Sequence, residues 1–191
     1  IIVDQEVWLT NEHKLGSVEL LKVDEDEKVI SEPATYDLYK TDGTLVAESL
    51  VTGKDNNGTG LLRVDNLEWG SYYFLEKIAP DGYGLSSEKI RFTVNALSSS
   101  TIQRVKAVDK EETTYIIATK KIKVDDINFD NGTPSFFFHL EGTTTAGNKK
   151  VYNRSVTFSE EFVNNHTDSK GYVSLSVTFE NRPTGKYVLS E

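Results

Sequence analysis

A ten-residue stretch that recurs with its key positions in register constrains this chain most. Leu67-Glu68-Trp69-Gly70-Ser71-Tyr72-Tyr73-Phe74-Leu75-Glu76 parallels Arg182-Pro183-Thr184-Gly185-Lys186-Tyr187-Val188-Leu189-Ser190-Glu191, and the Gly, the following Tyr and the terminal Glu coincide. Each reads as a turn feeding a strand that ends in glutamate. Upstream, the segment Ala34 to Tyr39 parallels Phe136 to Glu141, each a short alternating strand. A further match aligns Glu6 to Glu12 with Arg104 to Lys110, and a lysine-bearing strand follows each, Ser17 to Asp24 and Tyr115 to Asp125. The parse that follows makes residues 1–13 the last strand of a preceding copy or a linker. Residues 14–112 form a complete copy, and 113–191 a second copy that stops early.

The 191 residues suffice for two units of about 100 residues each. Thr, Val, Ser, Tyr and Phe are plentiful and no long tract has helical period, so the chain reads as all-β with little helix. A net charge of −9 without a basic stripe argues against a nucleic-acid partner. No apolar run reaches the roughly 20 residues that span a bilayer, so no membrane insertion is expected in this segment. Cysteine is absent, which removes disulfides, thiolate metal sites and a thiol nucleophile. His13, His139 and His166 are scattered without ligand spacing or a serine elbow, and nothing else suggests an enzyme with turnover. The oxygen-rich run Asp125, Asp126, Asn128 and Asp130 lacks the spacing of a tight calcium loop and reads as a polar turn. No cofactor or metal is expected.

Strand alternation selects the residues that carry chemistry. Val18, Leu20 and Lys22 share one face of the first strand, Tyr72, Phe74 and Glu76 one face of the repeated strand, and Val105, Ala107 and Asp109 one face of the closing strand. A lysine, a glutamate and an aspartate thus point inward beside aromatics. Burial disfavours the charged forms, so Lys22 can serve as a neutral amine nucleophile and Asp109 as a neutral, electrophilic acid. Glu76 within reach can polarise the acid and shuttle the proton. An intramolecular amide, formed with loss of one water, is the chemistry such a trio permits. The plain alternatives are an ordinary Glu76–Lys22 salt bridge and a solvated turn at Asp109, which adjoins Lys110, Glu111 and Glu112.

Lys22-Val23-Asp24, the segment Ala34 to Leu38, Glu76-Lys77-Ile78-Ala79-Pro80-Asp81-Gly82-Tyr83 and Ile90-Arg91-Phe92-Thr93-Val94 resemble the Cna protein B-type domain, the stalk unit of Gram-positive adhesins and pilins. The Glu76 to Tyr83 stretch is similar to that family's glutamate box. The resemblance implies tandem immunoglobulin-like, prealbumin-like β-sandwich domains. It also implies a self-generated isopeptide bond among Lys22, Asp109 and Glu76, which match the family's lysine, acceptor and glutamate places. The long, Ser-rich and charged stretch from Asn95 to Arg104 departs from the pattern and makes Asn95 the fallback acceptor.

In the second copy, Ala118-Thr119-Lys120-Lys121-Ile122 and Phe136-Phe137-Phe138-His139-Leu140 resemble pilin-shaft isopeptide domains. Parity places Lys120 with Ile116, Ala118 and Ile122, making it the nucleophile candidate, with Lys123 second by its Lys-Val-Asp context and a surface position as the plain alternative. Glu191 is the corresponding shuttle. Asn11, inward with Val7 and Leu9, is the acceptor for a neighbouring copy, and strand exchange between molecules is a corollary. Implied overall is an extracellular stalk or shaft module of a cell-wall-anchored Gram-positive surface protein, partnered by neighbouring domains. The alternative is an adhesive module that grips a host protein or glycan through loops such as 95–104 or 143–150.

Overall fold

The computed structural model describes residues 14–54, 58–97 and 101–191, and the chain in it is an all-β protein of tandem β-sandwich units. One unit runs up to Pro80 and resumes at Leu85–Lys110; the other comprises Asp81–Gly84 and Glu111–Glu191. Among the described residues no helix is long and apolar enough to cross a membrane.

Seven strands build the first unit: β1 (Gly16–Asp24), β2 (Thr35–Lys40), β3 (Leu45–Val51), β4 (Leu61–Leu67), β5 (Gly70–Ile78), β6 (Ile90–Val94) and β7 (Gln103–Asp109). They form two sheets, ordered β4-β1-β7 and β3-β2-β5-β6. The alternation within each strand decides what lies between them. Val18 and Leu20 from β1, Tyr36 and Leu38 from β2, Tyr72 and Phe74 from β5 and Ala107 from β7 are all buried in one core. Fully burying each large apolar side chain is worth roughly 1.5–3 kcal/mol. Phe92 and Phe74 stack with centroids 5.4 Å apart, as do Phe92 and Tyr72, and the edge of Tyr36 meets Phe74 at 6.3 Å.

The first and last strands of this unit are parallel neighbours. β1 pairs antiparallel with β4 on one side and parallel with β7 on the other, in unbroken register from Val18 opposite Gln103 to Asp24 opposite Asp109. Gly60 fixes the far end of β1. Its carbonyl accepts from Lys22 N–H at 2.8 Å, its φ is +69°, and a side chain there would lie 2.6 Å from Val29 Cγ1 and 2.9 Å from the Ile30 carbonyl.

The second unit contains β8 (Thr113–Lys123), β9 (Ser135–Thr144), β10 (Lys149–Thr157), α1 (Glu160–His166), β11 (Tyr172–Pro183) and β12 (Gly185–Ser190). β8 pairs with β11, while β10-β9-β12 forms the other sheet. These pairings repeat those of β1 with β4 and of β2 with β3 and β5; β6 and β7 have no counterparts among the described residues. Phe138, Leu140, Phe158, Val173 and Phe179 form this unit's core. The short helix was not expected from the alternation, and its cause is local. Ser159 accepts from Phe162 N–H at 3.1 Å as N-cap, Glu160 and Glu161 open the first turn, and His166 closes the last.

Candidate functional site

Four side chains from four strands converge inside the first unit. Lys22 is fully buried, while Glu76 and Asp109 are only 4% and 2% exposed. Lys22 Nζ lies 2.6 Å from Glu76 Oε1 and 2.5 Å from Asp109 Oδ1. It also donates to the Tyr36 hydroxyl at 2.7 Å, and that hydroxyl donates to Glu76 Oε1 at 3.0 Å. The second glutamate oxygen, Oε2, accepts from Ser86 N–H at 2.9 Å.

The two carboxylates are treated differently. Glu76 accepts from the amine, a phenol and a backbone amide. Asp109 is close to Nζ in distance but not in hydrogen-bond direction, and neither of its oxygens accepts a hydrogen bond. An orphaned buried carboxylate is costly, and taking up a proton is the cheapest relief. Burial accordingly pushes the Asp109 carboxyl up to about 6; the nearby Glu76 charge pushes the same way, while Lys22 opposes both. Burial, then the charges of Glu76 and Asp109, pushes the Tyr36 phenol far up, so it stays protonated and able to donate. The space bounded by Lys22, Tyr36, Glu76, Ser86 and Asp109 leaves no room for a water molecule. In such a dry site, fixed groups act without competing solvent.

The arrangement supplies an amine, an acid carbon beside it, and a base in contact with the amine. Tyr36 and Ser86 were not singled out by the sequence. Tyr36 alternates with Leu38 on an inward face, which reads as packing. The Ser86 contribution is a backbone N–H ten residues past the glutamate, and no residue type signals it.

The other candidates sit elsewhere. Asn95 is exposed beyond the end of β6, its side-chain oxygen accepting from Leu97 N–H at 2.9 Å, and it is not brought to Lys22. In the second unit Lys120 Nζ lies 2.6 and 2.9 Å from the Glu191 carboxylate oxygens and 4.3 Å from the centre of the Phe136 ring. Their side chains are 23% and 41% exposed, so this pair is wetter than the first. Lys123 is exposed and pairs with Asp125 at 2.7 Å. Asn11 and the strand proposed for residues 1–13 lie outside the described residues.

A family model described as the SpaA prealbumin-like fold domain matches residues 16–111, which carry the whole of this four-residue cluster. The chain belongs to that family. The SpaA prealbumin-like match runs from the start of β1 to just past β7. Among solved structures, the chain is similar to the Bacillus anthracis TIE protein, with 16% identity, 91% of this chain and 32% of that one covered, and a TM-score of 0.51. It is also similar to BcpA, the major pilin subunit of Bacillus cereus, at 23% identity, 88% and 59% coverage and a TM-score of 0.47. GBS52, the minor pilin of Streptococcus agalactiae, matches at 23% identity with 53% and 46% coverage and a TM-score of 0.44. The chain thus spans 59% of the length of BcpA and 32% of TIE, and these likenesses concern the fold. No curated protein matches the chain.

Proposed function

We propose that this chain is a structural stalk or shaft segment of a Gram-positive surface protein, an adhesin or pilin, whose first unit closes itself with a Lys22–Asp109 isopeptide bond. The observation that carries this reading is the buried Nζ of Lys22 set 2.5 Å from Asp109 Oδ1 and 2.6 Å from Glu76 Oε1. In the reaction Lys22 Nζ attacks Cγ of protonated Asp109. Glu76 takes a proton from the amine and returns it to the departing hydroxyl, so one C–N bond forms, one C–O bond breaks, and one water leaves. The reaction is internal and happens once, which suits a spacer rather than an enzyme. In the second unit, Lys120 and Glu191 are the corresponding nucleophile and shuttle. Exchange of a strand with a neighbouring domain or molecule belongs to the same reading.

Intact mass tests it. The purified chain is expected to weigh one water less than its sequence, with Lys22 joined to Asp109 in the peptide map. Lys22→Ala and Glu76→Ala are each expected to restore the full mass. An unmodified parent chain would end the reading for the first unit. Loss of ammonia instead would move the acceptor to an asparagine.

A further inference from the structure

We infer that Tyr36 is part of the bond-forming machinery, a positioning residue that orients the Lys22 amine toward Asp109. The inference rests on the Lys22–Asp109 reading above and adds a fourth residue to it. A neutral amine has two N–H donors and one lone pair, in tetrahedral directions. Two acceptors stand at Lys22 Nζ in hydrogen-bond geometry: Glu76 Oε1 at 2.6 Å and the Tyr36 hydroxyl at 2.7 Å. They engage both donors. The direction left over belongs to the lone pair, and the remaining close neighbour is Asp109, 2.5 Å away and outside hydrogen-bond geometry. Without the phenol, one N–H would lack a partner in a dry pocket and would turn toward the orphaned Asp109 oxygens, taking the lone pair off its target.

The hydroxyl also acts on the base. By donating to Glu76 Oε1 at 3.0 Å while accepting from Nζ, it ties amine and carboxylate into a closed triangle, and Ser86 N–H fixes the far oxygen. The amine then has little rotational freedom to lose on the way to attack, which is the kind of pre-organisation worth large factors in rate. The second unit supplies a comparison within the chain. Opposite the strand that ends in Glu191, Leu189 pairs with Leu140 as Phe74 pairs with Leu38. Two residues further along, Glu76 faces Tyr36, whereas β12 pairs with β9 only as far as Ser190 opposite His139, and one more step of that register would set Glu191 against Phe138. The ring recorded at Lys120 Nζ is that of Phe136, which has no hydroxyl, and both oxygens of Glu191 lie within hydrogen-bond distance of the amine.

The test is a time course. The chain is made in a cell-free reaction, translation is stopped, and samples are taken for intact mass at intervals over a range of pH. Tyr36→Phe, which keeps the ring and removes one oxygen, is expected to lose its water about 10²-fold more slowly than the parent. Its folded state is checked by near-ultraviolet circular dichroism. Should the phenylalanine variant not fold, site-specific 3-fluorotyrosine at position 36 keeps the shape while making the phenol a better donor and poorer acceptor. A changed rate and a displaced pH profile are then expected. Equal rates and superimposable profiles for the parent and a folded Tyr36 variant would overturn the inference and leave the crosslink standing. A parent chain that never loses water overturns the crosslink itself.

Discussion

Asp109 has two nearby charges of opposite sign and no hydrogen bond of its own, and in the proposed crosslinking reaction its proton governs when the site can react. The reactive state pairs a neutral Lys22 with a protonated Asp109 beside an ionised Glu76, and contains as many protons as the ion-paired state. Moving between these two states needs no proton from solution, so the rate is flat with pH while that proton count persists. One proton more gives a charged amine facing a neutral acid, which cannot react. Because Asp109 titrates near 6, acidifying below that point adds this proton. Bond formation is therefore expected to slow roughly tenfold per pH unit below about 6 and to level off above it. Mass-resolved rates between pH 4 and 8 check this; a rate that keeps rising as pH falls would contradict it. Tyr36 is the only other ionisable side chain hydrogen-bonded to the cluster among the described residues, and it stays protonated throughout this range.

At the scale of elements, the site depends on how β1 is seated. Lys22 N–H is held by the Gly60 carbonyl and its own carbonyl accepts from Ile30 N–H at 3.1 Å, so both backbone bonds of the nucleophile run to the chain just beyond β1 and just before β4. Gly60→Ala would force a left-handed backbone on alanine and press its methyl against Val29 and the Ile30 carbonyl. The expected cost is about 1–3 kcal/mol, read as a lower thermal midpoint, with slower bond formation because Lys22 shifts with it. Strand alternation is also what made Lys22, Glu76 and Asp109 legible in the sequence, since a charged residue in step with Val, Phe or Ala on an apolar face stands out. Tyr36 does not stand out there, because an aromatic on an inward face is already accounted for as core. The parallel pairing of β1 with β7 was equally hidden. Alternation reports which face a residue takes but not which strand lies beside it, and these partners are far apart in sequence. The helix at Glu160–His166 escaped for the opposite reason: its serine cap and acidic first turn span too few residues to produce a period.

In the whole molecule each unit has its own hydrophobic cluster, so calorimetry is expected to resolve two transitions. The proposed Lys22–Asp109 link would close a loop of roughly 90 residues, which by the chain-entropy argument for crosslinks would stabilise the first unit by about 4.5 kcal/mol. In that reading Lys22→Ala prevents the link and leaves the Asp109 and Glu76 carboxyls buried side by side with no lysine between them, a further loss. The first unit's transition should fall by about 15 °C or more, while the second moves little. A uniform shift of both transitions would show that the effect is not confined to the first unit.

The positions of Lys22 in β1 and Asp109 in β7 also fix what the proposed bond would do to the chain as a graph. It would turn a line into a ring with two tails, with nearly all of the first unit on the ring. Lys54 is exposed in the turn that follows β3, on that ring, where a trypsin-like protease would cut. Such a cut opens the ring without dividing the molecule, and hydrolysis adds back the one water that crosslinking removed. A nicked, crosslinked chain therefore has the same mass as an intact, unlinked one, and the two are distinguished by shape under denaturing conditions. In the proposed role as a stalk segment at the cell surface, where proteases act, one broken peptide bond in this unit would not sever the chain.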